Sequence, residues 1–387
     1  MQPAPETRYP SIFTLPLVLG CVGVALFFAL LTAQATLTFL CLLLLALAGG
    51  AKAWSYASLT RITSVLRLDP RRLFPGESLA LAMDVANNKL LPVWLQVSVP
   101  LPAALRAHRG VSTTRDSGLS SYQKAHFDWR VVALRRGVHA IGPVALRAAD
   151  PLGFFPNQKL SAASEVIVYP RLIPLPALVL PRRDPLGKPG VRSAVEDPTY
   201  LNGVRDYQPG RPARHIHWKA SARHDRLLEK MLETTARERV LIVLCAEGFD
   251  TEPDDRALEL CLEVVASLAV QLDRQRHPVG FVTNARLKGR ASGTIGIARM
   301  QGQLSELLET LARFEPIAER DIVPLLYGSA LLSATVSVVT VGHSLAATPA
   351  LFEYLRYRRV PMVNLVSEQA EPATGPVYRL SDLRGAS

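Results

Sequence analysis

The sequence predicts a membrane-anchored multidomain protein with a two-helix transmembrane hairpin, an antiparallel β-sandwich-like domain and an α/β domain. Three observations predict this order. Residues 9–51 carry no charged side chain, short apolar runs separated by Pro, Gly and Asn follow them, and from residue 240 strand-like runs alternate with helical periodicities. A hydrophobic share of 49% and a charged share of 20% exclude a disordered chain. We place the three parts at residues 1–62, 63–181 and 182–387.

The uncharged run divides into two apolar stretches around a short, weakly polar turn. The stretches cover about 12–31 and 37–54, and residues 32–36 connect them. Each stretch is long enough to cross roughly 30 Å of hydrocarbon as a helix, at a rise of about 1.5 Å per residue. The lipid bilayer is therefore a predicted partner, crossed twice.

The charges that flank the two stretches predict their orientation. The N-terminal flank carries Arg8, offset by Glu6, and the connecting turn has no charge. Since loops rich in Lys and Arg stay in the cytoplasm, we expect a multi-pass protein of the inner (plasma) membrane with both termini cytoplasmic. A signal peptide cleaved near 33–35 is the alternative, but its apolar region would be unusually long and its N-terminal flank nearly neutral. The basic residues after the second stretch are Lys52, Arg61, Arg67, Arg71 and Arg72.

Residues 63–181 have the pattern of an antiparallel β domain. Apolar residues at 79, 81, 83 and 85 alternate with smaller or polar ones, as in a strand that is buried on one face. Turns such as Pro75–Gly76 and Asn87–Asn88 separate such runs at a spacing typical of a sandwich. This part contains no visible nucleophile, base or ligand cluster. Strands are predicted at 66–68, 79–85, 94–99, 126–134, 144–148 and 164–169.

The most informative segment is a basic stretch between residues 200 and 226. Arginine offers forked donors that match anionic groups, and a tryptophan can stack on a ligand or anchor an interface. The alternative is a structural loop, in which the arginines cap helix ends, Trp218 fills the core and Pro209–Gly210 forms a turn. The candidate partner-binding residues are Arg205, Tyr207, Pro209, Gly210, Arg214, His217, Trp218, Ser221 and Arg223.

A metal site in this segment is not expected. His215 and His217 stand two residues apart, which on a strand would place both on one face, but no suitable third ligand is near in sequence. The four cysteines have neither a disulfide framework nor a paired metal-ligand spacing. We predict no metal and no cofactor.

The same segment closely resembles the Domain of Unknown Function 58 family. The hallmark of that family is the pattern Gly-x-Arg-x-Tyr-x-Pro-Gly-Asp-x-x-Arg-x-Ile-His-Trp-x-x-Ser-Ala-Arg. One position departs from it, because Arg211 stands where the acid usually follows Pro-Gly, and Asp206 is the nearest candidate substitute. The matching residues are Gly203, Arg205, Tyr207, Pro209, Gly210, Arg214, Ile216, His217, Trp218, Ser221, Ala222 and Arg223.

The resemblance extends over nearly the whole chain. Segments 135–143 and 150–155 are similar to family segments of the β domain. The family implies a membrane hairpin, a β domain and an α/β domain similar to the von Willebrand factor A fold. It also implies MoxR-type AAA ATPases as partners, with a transglutaminase-like membrane protein as a further one. The implied role is that of an adaptor in the assembly or maturation of envelope or secreted complexes.

The C-terminal part alternates strands and helices, which predicts a parallel sheet covered on both faces. Proteins with the von Willebrand factor A fold often bind a cation through Asp-x-Ser-x-Ser after the first strand, but the corresponding residues 244–250 lack this motif, so we expect no such site. Residues 227–233 have helical spacing, whereas the resemblance favours a strand in a hairpin with 240–245; we slightly prefer the strand. Strands are predicted near 240–245, 279–283, 334–341 and 361–366, and helices near 256–275, 304–314, 321–332 and 349–358.

Three functions remain to be compared at this stage. We favour a non-enzymatic, membrane-anchored cytoplasmic interaction protein, because no nucleophile elbow or phosphate loop is present. The first alternative is binding of an anionic ligand, lipid or nucleic acid, based on a net charge of +11 and a pI near 9.7; a nucleic acid is the less favoured of these partners. The second alternative is a hydrolase that uses His217 with Asp206 or Ser221.

Overall fold

The computed structural model divides into two compact units, residues 1–169 and residues 170–387. The residues that the structure describes are 14–108, 112–148, 155–176, 201–207, 216–232, 239–249, 256–290, 292–328, 331–332, 336–367 and 376–384.

The first unit begins with two apolar helices, α1 (Thr14–Leu31) and α2 (Ala35–Ser58), which pack against each other. Residues 32–34 connect them, and Ala33 has a φ of +51°. Both helices lie where the sequence predicts apolar spans. By length and composition, α2 is the one described helix that could cross a membrane, because the apolar part of α1, Pro16–Leu31, is shorter. The second span stays a prediction.

The first unit contains antiparallel sheets, as the sequence predicts. Its two larger sheets have four strands each, in the orders β1-β3-β7-β5 and β10-β9-β4-β6, and all of their pairings are antiparallel. A third sheet has the order β2-β11-β8. The strands are β1 (Ile62–Asp69), β2 (Arg72–Leu73), β3 (Ser78–Asn87), β4 (Val93–Ser98), β5 (Leu105–Ala107), β6 (Thr114–Leu119), β7 (Lys124–Ala133), β8 (Gly137–Ile141), β9 (Ala145–Ala148), β10 (Asn157–Leu160) and β11 (Ser164–Val168).

All three sheets contribute to one hydrophobic core. Leu81 of β3, Leu95 of β4, Leu146 of β9 and Val166 of β11 are fully buried members of the same cluster. The alternation predicted along β3 is observed, since its odd-numbered apolar residues point inward. Each such side chain contributes roughly 1.5–3 kcal/mol of burial free energy relative to exposure.

The sequence pattern did not predict several strands of this domain, because these strands are short or consist mainly of polar residues. β6 reads Thr-Arg-Asp-Ser-Gly-Leu and forms the edge of its sheet beside β4. An edge strand buries few side chains, so backbone pairing rather than apolar periodicity determines its structure. The same applies to β5, which lies at the edge of the other sheet.

The second unit has the predicted α/β architecture. A six-stranded sheet has the order β17-β15-β14-β19-β20-β21, and all pairings are parallel except that of β17 with β15. Its strands are β14 (Arg239–Leu244), β15 (Val279–Thr283), β17 (Thr294–Ala298), β19 (Val336–Gly342), β20 (Met362–Val366) and β21 (Val377–Arg379). Its helices are α4 (Arg256–Arg274), α5 (Gln303–Ala312), α6 (Ile322–Gly328), α7 (Pro349–Tyr357) and α8 (Leu380–Arg384), and β16 (Ala285–Leu287) pairs with β18 (Phe314–Ala318).

The segment whose conformation the sequence left open is a strand, β13 (Leu228–Leu232), preceded by the short helix α3 (Trp218–His224). Its partner differs from the expected one. β13 pairs antiparallel with β12 (Leu201–Asp206), whereas β14 pairs with β15 and β19. Backbone pairing with β12 overrides the helical spacing of the side chains, because local propensity is a weak determinant next to tertiary contacts.

Candidate functional site

The described part of the basic stretch is a small unit made of β12, α3 and β13. Arg205 lies in β12, in register with the fully buried Glu229 of β13, and Tyr207 follows directly, its N–H donating to the Leu227 carbonyl at 2.9 Å. His217, Trp218, Ser221 and Arg223 belong to α3 or precede it. Pro209, Gly210 and Arg214 lie outside the described residues.

His217 begins α3 and is used in its local structure. Its ring Nδ1 accepts a hydrogen bond from the Ala220 N–H at 3.0 Å, so that it caps the helix. Its own N–H donates to the Leu228 carbonyl at 2.8 Å. A cap satisfies one of the N–H groups that the first turn of a helix leaves without a partner. The imidazole therefore fixes where the helix starts.

Ser221 fastens α3 to β13. The residue is buried, and its Oγ accepts a hydrogen bond from the Leu228 N–H at 2.9 Å. Oγ also donates to the His217 carbonyl, one turn earlier, at 3.1 Å. Nearby, Ile216 is buried and forms a β-bridge with Glu229. The hydroxyl thus joins the helix to the strand through backbone groups.

Asp206, the suggested substitute for the missing acid, pairs with an arginine just after the motif. Its carboxylate lies 3.2 Å from the Arg226 guanidinium, and both side chains are exposed. Asp225, directly before Arg226, ends α3 in the left-handed conformation, with a φ of +51°. Exposed ion pairs typically contribute about 0–1 kcal/mol, so this pair orders the surface more than it stabilises the fold.

The outward side of α3 is aromatic and basic. Trp218 is 65% exposed, so it does not fill the core as the structural-loop alternative predicted. Residues four apart on a helix are neighbours, which places Trp218 beside Ala222 and Lys219 beside Arg223. All four are exposed, whereas Ala220 on the same helix is half-buried. We call this set, Trp218, Lys219, Ala222 and Arg223, the α3 surface.

A second polar cluster lies where β14, β15 and β19 end. Parallel strands bind ligands at this edge, where the strand order reverses direction. Asn284, which is buried, accepts from the Ala246 N–H at 3.0 Å through Oδ1, and its Nδ2 donates to the Arg320 carbonyl at 3.1 Å and to Glu247 Oε1. Sequence reasoning missed Asn284, although a polar residue directly after a buried strand was the available signal.

His343 and Gly248 close this edge between β14 and β19. Gly248 has a φ of +88°, and a Cβ on it would lie 3.0 Å from the His343 ring. The Phe249 ring meets the same imidazole edge-on, with centroids 5.4 Å apart. Glycine is required here both by the backbone conformation and by the close approach of the ring.

The chemistry of this edge is that of a closed protein interior. Burial, reinforced by the Glu247 carboxylate and opposed by a hydrogen bond with Thr348, raises the pKa of the Cys245 thiol to about 12. A thiol in this state is a poor nucleophile. Among the described residues, no group of three or more His, Cys, Asp or Glu could hold a metal ion. The acidic residues at 250–255 are not among those described.

Comparison with protein-family models finds no match for this chain, and comparison with curated proteins finds none. Among solved structures, a fragment of Escherichia coli alpha-2-macroglobulin is 17% identical over 31% of this chain and 20% of that chain, with a TM-score of 0.25. A Salmonella alpha-2-macroglobulin reacted with methylamine is 18% identical over 31% and 8%, with a TM-score of 0.22. A FixG-related protein from Vibrio parahaemolyticus is 12% identical over 28% and 98%, with a TM-score of 0.21.

This chain therefore spans a fifth or less of the alpha-2-macroglobulins described above. At such TM-scores these similarities carry no conclusion about fold or function. The resemblance to the Domain of Unknown Function 58 family and to the von Willebrand factor A fold stays a prediction from the sequence.

Proposed function

We propose that this protein is a non-enzymatic, membrane-anchored interaction protein that binds a protein partner through the α3 surface. The observation that carries the proposal is the 65% exposure of Trp218. A tryptophan left in water beside two cations is costly for the monomer and is typical of an interface anchor. Its neighbours His217 and Ser221 hold the helix in place, so the anchor is presented on an ordered support.

The finer features of the proposal come from the sequence. We propose two membrane spans with both termini in the cytoplasm, and a C-terminal domain similar to the von Willebrand factor A fold. The resemblance suggests a MoxR-type AAA ATPase as the partner, with a transglutaminase-like membrane protein as a further one, in the assembly or maturation of envelope or secreted complexes. Lys219 and Arg223 favour an acidic patch around an apolar pocket on that partner.

The local hydrogen bonds weaken the hydrolase alternative. A serine nucleophile needs its hydroxyl within hydrogen-bond reach of a base. Ser221 Oγ is instead occupied by the Leu228 N–H and the His217 carbonyl, while His217 Nδ1 accepts from Ala220. Asp206 is engaged by Arg226 at the surface. The three residues of the proposed catalytic set therefore have different structural partners.

The anionic-ligand alternative has one specific observation in its favour, because Lys219, Arg223 and Arg226 are all exposed on or next to α3. The two functions differ in whether binding depends on Trp218. Charge attraction to a lipid or nucleic acid depends mainly on the cations and falls steeply with salt, whereas an interface anchor depends on the indole.

The test is binding of purified MoxR-type AAA ATPase to the full chain in lipid nanodiscs. Trp218→Ala should weaken binding at least about tenfold, because buried aromatic anchors dominate interface energies. Arg223→Glu should weaken it as well. The matched controls are Tyr357→Ala, which removes an aromatic residue that is 85% exposed elsewhere in this unit, and Arg356→Glu on the exposed side of α7. Both controls should bind as the unmodified chain does.

Two results would contradict the proposal. One is an ATPase affinity that neither Trp218→Ala nor Arg223→Glu changes, together with no ATPase enriched when the chain is purified from solubilised membranes. The other is turnover of a substrate that His217→Ala abolishes while the fold is intact. Binding that responds to Arg223→Glu and to salt, but not to Trp218→Ala, would instead favour the anionic-ligand alternative.

A further inference from the structure

The end of α2 is fastened to the β domain by a buried lysine. Lys89, in the loop after β3, is 8% exposed. Its Nζ donates to the carbonyls of Ala57 at 2.6 Å and Thr60 at 3.0 Å, and also to that of Ser58. The last carbonyls of a helix have no partner within it, and a cation is favoured there. One side chain thus satisfies the terminus of α2.

A second set of bonds holds the same helix end from the side of β10. Ser55 Oγ donates to the Phe155 carbonyl at 2.6 Å, and Asn157 Nδ2 donates to the Ser55 carbonyl at 3.0 Å. Just beyond the helix, Lys159 Nζ donates to the Ile62 carbonyl at 2.8 Å. With bonds on two sides, the helix end and the β domain form one ordered joint.

The joint includes two loops, residues 88–92 and 120–123. Asn87, which is fully buried, donates from Nδ2 to the carbonyls of Leu91 and Ser120, each at 2.9 Å. Its backbone N–H donates to the Gln123 carbonyl at 2.9 Å. The Tyr122 N–H donates to the Lys89 carbonyl at 3.2 Å. Both loops are therefore held against the residue that caps α2.

The tips of these loops are apolar and exposed. Leu90 is 74% exposed and Tyr122 is 67% exposed. Tyr122 has a φ of +55°, which costs a bulky residue roughly 1–3 kcal/mol. On α2 itself, Tyr56 is 79% exposed. We call Leu90 and Tyr122 the rim; single exposed apolar residues are common, but these two share one joint with an apolar helix.

The position along α2 indicates the depth of the rim. The predicted span ends at Trp54, and the Ala57 carbonyl bound by Lys89 lies three residues further, or about 4.5 Å along the axis. The polar headgroup layer on each side of the hydrocarbon is roughly 5–7 Å thick. The carbonyl that Lys89 binds thus lies at headgroup depth, and the Tyr122 N–H of the rim bonds to the Lys89 carbonyl. Lys52 and Arg61 are exposed on the same stretch and suit anionic headgroups.

We propose that the rim, Leu90 and Tyr122, inserts into the headgroup layer of the bilayer that α2 spans, so that the β domain contacts lipid directly. The proposal rests on the membrane anchoring included in the proposed function. Interfacial tyrosines are well suited to this layer, since the ring is apolar and the hydroxyl remains hydrated. The bonds of the joint hold the rim in place before any lipid is met.

The test measures lipid contact by fluorescence quenching in nanodiscs that contain nitroxide-labelled phospholipid. The full chain carries Cys21→Ala, because Cys21 is the exposed one of its four cysteines. An environment-sensitive dye is then attached at Leu90→Cys or Tyr122→Cys. Ser78→Cys is the matched control; it lies in the same sheet, exposed, at the end of β3 away from the joint. Leu43→Cys, 51% exposed on α2, reports the anchor.

At positions 90 and 122, shallow nitroxide should reduce emission about twofold or more, as expected for residues in the interface, and position 78 should not respond. Quenching at 43 without quenching at 90 and 122 overturns the rim proposal but leaves the anchor intact. No lipid quenching at 43 means that the anchor itself is wrong. Dyes at 90 and 122 that are shielded from both the nitroxide lipid and aqueous iodide indicate a protein cover, which also overturns the proposal.

Discussion

The joint at the end of α2 and the small unit around α3 use the same chemistry to different effect. In each, a polar side chain from one element bonds to the backbone of a neighbour: Lys89 to the end of α2, and Ser221 to β13. At the joint the cation itself is buried and occupied by carbonyls. Around α3 the bonds are made by neutral groups, and the cations Lys219 and Arg223 remain in water.

This difference separates residues that hold the fold from residues that are available for binding. Burial lowers the pKa of Lys89, while the carbonyl dipoles around it favour its charged form. Such a residue has no capacity left for a partner. Lys219 and Arg223 on α3 are exposed and can still bind a partner. The basic character of a segment therefore indicates binding only where its cations are exposed.

The sharpest test of the comparison is Lys89→Met. The change leaves three carbonyls at the end of α2 without their cation, and we expect a loss of about 3 kcal/mol in the free energy of unfolding. Denaturant unfolding of the full chain in detergent, followed by the fluorescence of the buried Trp129, measures it. Lys124→Met, at an exposed lysine of β7, is the control and should change stability little. Equal losses of unfolding free energy in Lys89→Met and Lys124→Met would contradict the distinction between buried and exposed cations.

Ser221→Ala should have the next largest effect. The substitution leaves the buried Leu228 N–H without its acceptor, which typically costs about 1–3 kcal/mol. The unfolding midpoint of the β12–α3–β13 unit can be followed by hydrogen exchange of its backbone amides at increasing denaturant. Lys219→Ala on the same helix is the control, because its side chain is exposed. An unchanged midpoint in Ser221→Ala would mean that the hydroxyl does not clamp α3.

His217→Ala should destabilise α3 by about 1 kcal/mol, the usual cost of losing a helix cap. His217→Asn should restore most of this stability, since an asparagine oxygen can accept the same N–H. The pair separates a structural role from a catalytic one: a base required for turnover would not be rescued by asparagine. Thermal unfolding of the two variants, measured side by side, gives the answer.

The smallest effect is expected for Asp206→Asn. The ion pair with Arg226 is solvent-exposed on both sides, so its loss should change the unfolding free energy by less than about 1 kcal/mol. The small difference should shrink further at high salt. Comparing the variant with the unmodified chain at low and high salt measures both effects. A loss as large as that of Ser221→Ala would show that this surface pair is structural.

The sequence predicted those features that depend on repeating side-chain patterns. β3 and α4 each bury one face, and burial of one face requires a periodic pattern of apolar residues. α2 was predicted instead from the length of its uncharged apolar run. β12 has no such pattern, because Leu-Asn-Gly-Val-Arg-Asp is defined by its pairing with β13. The candidate partner-binding residues were predicted as a group, but their spacing does not show whether Trp218 is buried or exposed.

Lys89 illustrates what a sequence cannot supply. It follows two asparagines in a turn, and no local pattern marks it as the cap of a helix that ended 31 residues earlier. Asn284 and His343 are similar, because each follows a different strand and both lie at one edge only after the sheet has formed. Contacts of this kind depend on tertiary arrangement and not on propensity.

The joint at Lys89 also has a mechanical consequence. A helix attached by a flexible linker would let the β domain tumble freely, whereas a helix capped from one side and bonded on the other transmits torque. Tilting or rotating α2 should therefore rotate the β domain together with the helix. A membrane whose thickness changes the tilt of this helix would thereby change the direction in which the β domain faces.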